Sequence, residues 1–361
     1  MGIDDKIASV EEKLEKTPTN KATEKERARL KSRIAELKEQ KQKKQTGTGD
    51  TSGYAVEKHG DATIALVGFP SVGKSTIMNA ITNAESDTGA YEFTTLDVEP
   101  GMMEYKGAKI QILDVPGLIG GAADGRGGGK QVLSVVRNAD LIVVVLDPEK
   151  MRDEEIFAEI HNAGIRPNIE PPKMKVEKKD RGGLSISSTV EQPIDEETME
   201  ELAYQKGFGN ASIVIREEMD IDRFIDGLMD NRKYMPAIRI VNKSDLIESS
   251  ERSRFEDEND LLISAEEGEG LNDLREIIFD RLGLVRVYMK EKGEDPQKDE
   301  PLILREGDTV ETALQTLPGE LERRFKHARV TGESSKFPNQ KVGKDHELMD
   351  EDVLELNLKH L

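Results

Sequence analysis

Short apolar runs separated by helical stretches shape the middle of this chain. Residues 64–67, 110–113, 141–146, 238–241 and 261–263 are each almost wholly aliphatic, the pattern of parallel strands buried on both faces. Helix-length segments lie between several of them, which predicts a doubly wound α/β sheet. Ahead of the runs, Ile7, Val10 and Leu14 recur at helical spacing, and so do Leu30, Ile34 and Leu37. Thr17-Pro18-Thr19-Asn20 separates the two stripes, and Thr23 with Glu26 reads as a capping box for the second. A helical hairpin is expected there, followed by a linker at 46–53 (TGTGDTSG). The gap between Leu146 and Ile238 is too long for one crossover, and it holds Pro171-Pro172, Gly182-Gly183 and a helical pattern over 221–228. It reads as an inserted α/β subdomain, since structureless loops of that size are uncommon. From about 299 the pattern changes to short strands at 301–304, 328–330 and 353–356 around a helix at 309–315. The expected divisions are a hairpin and linker at 1–55, an α/β domain at 60–165 and 231–290, an insert at 166–230 and a small α+β domain at 299–361.

Composition narrows the chemistry. With 361 residues, 34% charged and 4% aromatic, the chain suits several small domains with large surfaces. It has no Cys, which removes disulfides and thiolate-bound metals. Its five His lack paired ligand spacing. The longest apolar run is too short for a bilayer, and the charged N-terminus is unlike a signal peptide. A soluble cytoplasmic protein with no membrane partner is expected. The formal net charge of −20 alone argues against nucleic acid and also suits a high-salt cytoplasm.

Four motifs then appear in order, each after an apolar run. Gly68-Phe69-Pro70-Ser71-Val72-Gly73-Lys74-Ser75, with Thr76 behind it, fits G-x-x-x-x-G-K-[ST]. Such a loop wraps phosphates with backbone amides at a helix start. Lys74 would reach the β- and γ-phosphates, and Ser75 would ligate Mg²⁺. Asp114-Val115-Pro116-Gly117 ends the next run. Its Asp is placed to hold the Mg²⁺ shell, and the Gly117 amide is placed to meet the γ-phosphate. Thr95, of the Thr94-Thr95 pair between these motifs, is the candidate that completes the Mg²⁺ shell.

The remaining two motifs concern the base. In Asn242-Lys243-Ser244-Asp245 the Asp245 carboxylate would accept from guanine N1–H and the exocyclic amine, donors that adenine lacks. Asn242 would tie this loop to the phosphate loop, and the Lys243 stem would lie over the ring. In Ser264-Ala265-Glu266 the Ala265 amide would donate to guanine O6. Together these residues predict binding of GTP and GDP.

With the motifs in hand, the chain resembles the developmentally regulated GTP-binding protein family of Obg-like P-loop GTPases. The segments that carry the resemblance are GFPSVGKST at 68–76, YEFTTLDVEPG at 91–101, DVPGLIGGAADGRGGGKQVLSVVRNAD at 114–140, NRKYMPAIRIVNKSD at 231–245 and RFKHARVTGESSKFPNQKVGKDHELMDEDVLEL at 324–356. It implies an N-terminal helical domain, an inserted subdomain, a C-terminal TGS domain of β-grasp type, and association with ribosomes. Family members often carry Trp after the Ala-Arg-Val of the last domain, where this chain has Thr331. Some potassium-stimulated relatives carry Asn where it has Ser71.

Many small GTPases place a water-orienting Gln where this chain has Leu118, so slow unassisted hydrolysis is expected. The missing charge compensation would come from a monovalent cation such as K⁺, a partner, or ordering of the glycine-rich loop that carries Arg126. The alternative is a nucleotide-binding or RNA-binding scaffold with negligible hydrolysis. Two basic islands stand on the acidic background. Residues 21–44 hold ten Lys/Arg against four acids, and 323–344 hold seven against one. They fit ribosomal RNA, with the helical and TGS domains also open to a protein partner.

Overall fold

The computed structural model describes residues 2–46, 58–82, 99–115 and 129–359. By packing, the chain divides into one unit of residues 1–53 and 158–235 and a second of 54–157 and 236–361.

The first unit opens with helices α1 (Ile3–Lys16) and α2 (Glu24–Thr46). Ion pairs from Lys38 to Glu11 and from Lys41 to Asp4 show that they run antiparallel, as a hairpin. Thr23 precedes α2, but its hydroxyl bonds back to Pro18 and Asn20. The Asn20 side chain accepts from the Ala22 and Thr23 amides, so an Asx turn replaces the expected capping box.

The second unit is built on β1 (Ala62–Val67), α3 (Lys74–Ile81), β2 (Glu99–Tyr105), β3 (Ala108–Asp114), α4 (Gly129–Asn138) and β4 (Leu141–Leu146), with α5 (Asp153–Asn162) after them. The insert returns to the first unit. It holds β5 (Ile165–Pro167), β6 (Met174–Lys178), β7 (Leu184–Ser188), α6 (Glu196–Gln205), β8 (Ala211–Ile215), α7 (Ile221–Gly227) and β9 (Lys233–Met235). Strands β6, β8 and β7 form a three-stranded sheet. Alternation along β8 sends Ala211, Ile213 and Ile215 into a core with Leu202 and Phe224, where Ala28 of α2 also packs. Asp195 and Asp220 cap α6 and α7 by accepting from the Thr198 and Arg223 amides.

The chain then re-enters the second unit with β10 (Ala237–Val241), α8 (Arg252–Glu258), β11 (Leu261–Leu262) and α9 (Leu271–Arg281). Among the described residues the sheet order is β11-β10-β4-β1-β3-β2, parallel except for β2. This is the predicted doubly wound sheet, with an edge strand the pattern did not announce. Glu99-Pro100-Gly101 lacks an apolar run, and an edge position tolerates it. Strands β1 and β4 are buried along their whole length, which is why they read as continuous aliphatic runs.

A second sheet, of order β13-β12-β16-β14-β15, follows. Its strands are β12 (Leu284–Lys290), β13 (Leu302–Arg305), β14 (Phe325–Thr331), β15 (Gln340–Val342) and β16 (Asp352–Leu358), with α10 (Val310–Thr316) and α11 (Gly319–Arg324) between them. Val285, Val287, Ala328, Val330 and Leu354 meet Val310 and Leu314 in its core. This sheet begins at Leu284 rather than near 299, because β12 pairs with both β13 and β16. No helix among the described residues is long and apolar enough to cross a membrane.

Candidate nucleotide site

Adjacent parallel strands deliver three of the motifs to one edge of the sheet. In register, Leu66 of β1 lies beside Asp114 of β3, and Leu146 of β4 beside Val241 of β10. The residues just past these ends are the phosphate loop, Asp114-Val115, Asp147 and Asn242. Carboxyl ends of parallel strands are where open α/β sheets bind ligands.

In the phosphate loop, Gly68 and Val72 are buried while Pro70, Ser71, Ser75 and Thr76 are exposed. Ser71 sits at φ 66° and Gly73 at φ 94°, both left-handed. A Cβ on Gly73 would stand 2.3 Å from Asn242 Nδ2, so glycine is required for packing as well as for conformation. The first intrahelical bond of α3 runs from Ile77 N–H to the Gly73 carbonyl at 2.9 Å, which leaves the amides before it outside the helix ladder. Lys74 is buried, and its ammonium donates to the carbonyls of Gly68 and Phe69, both at 3.2 Å. Burial holds its pKa below the usual lysine value, against the pull of Asp114. An anion in the loop would favour the charged form.

Ser75 Oγ donates to Asp114 Oδ2 at 2.5 Å. Asp114 Oδ1 is buried and has no hydrogen-bond partner among the described residues. A hydroxyl and a carboxylate side by side, with one buried oxygen unsatisfied, fit a hard divalent cation such as Mg²⁺. Thr95 and Gly117, and with them Leu118 and Arg126, lie outside the described residues.

One side chain ties the base motif to the phosphate loop and to the Ser264-Ala265 turn. Asn242 Nδ2 donates to the Val72 carbonyl at 2.9 Å, and Asn242 Oδ1 accepts from the Ala265 amide at 3.0 Å. The Ala265 amide, expected to serve guanine O6, therefore already has an acceptor. Ser264 Oγ donates to Asp245 Oδ1 at 2.6 Å, which fixes an exposed carboxylate at the rim. Lys243, itself at φ 61°, donates to the Ser71 carbonyl at 3.1 Å and to Asp147 Oδ2 at 2.7 Å. Asp147 was not singled out from the sequence. The signal was present, since it follows an aliphatic strand as Asp114 does, but a lone acid at a strand end is common turn chemistry. Arg152 also escaped notice; its guanidinium lies 4.2 Å from the centre of the Phe69 ring, against the outside of the phosphate loop.

Comparisons with known proteins show the family. The family described as a 50S ribosome-binding GTPase matches residues 63–176. The C-terminal region of that domain matches 181–284, and the TGS domain matches 285–357. An uncharacterized GTP-binding protein of Halobacterium salinarum is 50% identical, covering 98% of this chain and 98% of that protein. Developmentally-regulated GTP-binding protein 2 of Mus musculus is 38% identical over 99% of each. The chain belongs to the developmentally regulated GTP-binding protein family. It is thus a GTP-binding protein of this type, with a P-loop GTPase fold and a C-terminal TGS domain. Among solved structures, the YchF GTPase of Schizosaccharomyces pombe covers 83% of this family member, and 99% of its own chain is covered, at 17% identity and a TM-score of 0.46.

Proposed function

We propose that this protein hydrolyses GTP to GDP and phosphate with Mg²⁺, slowly when alone, and acts in contact with ribosomal RNA. The observation that carries the first part is the Asn242 bridge between the phosphate and base loops, together with the unsatisfied Asp114 oxygen beside Ser75. Lys74 and the amides at the start of α3 would bind the phosphates. Asp245, oriented by Ser264, would read the guanine edge. Ser75 and Asp114, with Thr95, would hold Mg²⁺, which when bound neutralises charge on the β- and γ-phosphates. Slowness follows from Leu118, which cannot orient water. Single-turnover phosphate release by the wild type and by Lys74→Ala separates this reading from a scaffold that binds without hydrolysing. Equal release from both sinks it.

For the RNA contact the structure distinguishes the two basic islands. In the first, Lys25 pairs with Glu197, Arg29 with Glu201, Lys31 with Asp222, Lys38 with Glu11 and Lys41 with Asp4. Those charges are largely compensated inside their own unit. In the second, Lys326, Arg329 and Lys341 are exposed, and in register Arg329 lies between Lys341 of β15 and Glu355 of β16. None of the three has an ion pair among the described residues. Burial lowers the His327 pKa, and the charges of Lys341, Lys326 and Arg329 add to the effect, against Glu355. These differences favour the C-terminal sheet as the surface for the polyanion contact. Charge reversal of Lys326, Arg329 and Lys341 should abolish co-sedimentation with ribosomes, while reversal of Lys25 and Arg29 should not. The opposite pattern refutes the assignment.

A further inference from the structure

We infer that Asp147 is a positioning residue for the guanine nucleotide, acting by holding Lys243 across the base site. The inference rests on the reading of Asn242–Asp245 as the base motif. Asp147 stands one residue past the end of β4, beside the strand that leads into that motif. The Asn242 amide donates to the Leu146 carbonyl at 3.0 Å, so the two strand ends are locked side by side. Asp147 is 7% exposed. One of its oxygens accepts from the Glu149 amide at 2.9 Å and the other from Lys243 Nζ at 2.7 Å, so both are committed. Burial alone would raise its pKa, but the hydrogen bonds from Lys243 and Glu149 bring it below the usual aspartate value.

A buried carboxylate beside a phosphate loop opposes polyphosphate binding unless a cation neutralises it. Lys243 is that cation, and the two groups fix each other. A lysine side chain is long and rotamer-rich, and ordering it at the moment of binding would cost affinity. Here the protein itself supplies the ordering, by one acceptor on the phosphate loop (Ser71) and one just past the end of β4 (Asp147). The ammonium end of Lys243 is thereby pinned by two acceptors, which leaves its methylenes available to the face of a purine. That contact is blind to the base's polar edge, whereas Asp245 is not.

The two residues therefore have separable signatures. Dissociation constants for GDP and for IDP, which lacks the exocyclic amine, would be measured for wild type, D147N, D147A, K243A, D147A/K243A and D245N. Melting curves would confirm that each variant folds. D147A should weaken GDP and IDP by the same factor, about tenfold, the scale of one charge-assisted bond. D147N, which keeps an acceptor and loses the charge, should fall between it and the wild type. Because Asp147 acts through Lys243, D147A should cost no more than about twofold in the K243A background. Full additivity of D147A with K243A, or a D147N protein that binds as the wild type does, overturns the inference while leaving the base motif intact. If D245N also leaves GDP binding unchanged, the underlying reading of the motif fails and the inference falls with it.

Discussion

Replacing Asn242 by alanine removes one bond to the phosphate loop and one between the two base motifs. Asn242 is 3% exposed, its Nδ2 lies 2.9 Å from the Val72 carbonyl, and its Oδ1 lies 3.0 Å from the Ala265 amide. Truncation leaves a carbonyl and an amide unpaired. Each such group costs about 1–3 kcal/mol when water cannot replace the partner. Val72 and Ala265 are themselves buried, which puts the total at about 2–4 kcal/mol, with some relief from water entering at the rim. Both bonds are made between protein groups, so part of the loss must appear as lower stability of the protein itself. For a domain of this size about 2–4 kcal/mol corresponds to a fall of roughly 5–15 °C in melting temperature. The affinity for GDP should fall as well, because Asp245 and the phosphate loop no longer keep a fixed separation; a loss of about 2 kcal/mol there is roughly 30-fold. Scanning calorimetry on nucleotide-free protein, with titration of a fluorescent GDP analogue, measures both. An Asn242→Ala protein that melts within 1 °C of the wild type (about 0.3 kcal/mol) and binds GDP equally well refutes the bridge.

Gly73→Ala should be harmful for a different reason: the added Cβ meets Asn242 Nδ2 at 2.3 Å in a left-handed backbone. GDP affinity should fall at least about tenfold, combining conformational strain with displacement of that side chain; unchanged binding by titration contradicts the packing. His161 gives the first unit a pH dependence. Burial lowers its pKa and Arg166 adds to the effect, against Asp226, so the unfolded chain takes up the proton first as pH falls. The stability it contributes is complete above about pH 6.5 and declines below, toward the folded value. His161→Gln should flatten the fall of melting temperature below about pH 6.5, and an unaltered slope contradicts the assignment.

The motifs were legible because each is a short run of residues whose chemistry is local. Gly68–Ser75, Asp114, Asn242–Asp245 and Ser264–Ala265 all follow strands whose burial on both faces makes them visible as aliphatic runs. Where the determining contact is remote, the sequence is silent. Lys25, Arg29 and Lys31 look like part of a free basic stripe along α2, but their acids lie at 197, 201 and 222 in the insert. Asp147 carries no mark that distinguishes it from any acid in a turn until Lys243 is seen beside it. Strand β12 follows α9 after a single glycine turn, so its apolar residues read as a continuation of the preceding domain. Only its pairing with β13 and β16 reveals its sheet.

The central claim is that Asp245 reads the guanine edge from a loop braced against the phosphate site. Titration of GDP and XDP against wild type and Asp245→Asn tests it directly. Xanthine presents a carbonyl where guanine has its amine, so an amide at 245 can donate to it and still accept from N1–H. The account predicts that the substitution weakens GDP by about a hundredfold, the loss of a paired charged acceptor, and strengthens XDP. A variant that keeps its affinity for GDP and gains none for XDP contradicts it.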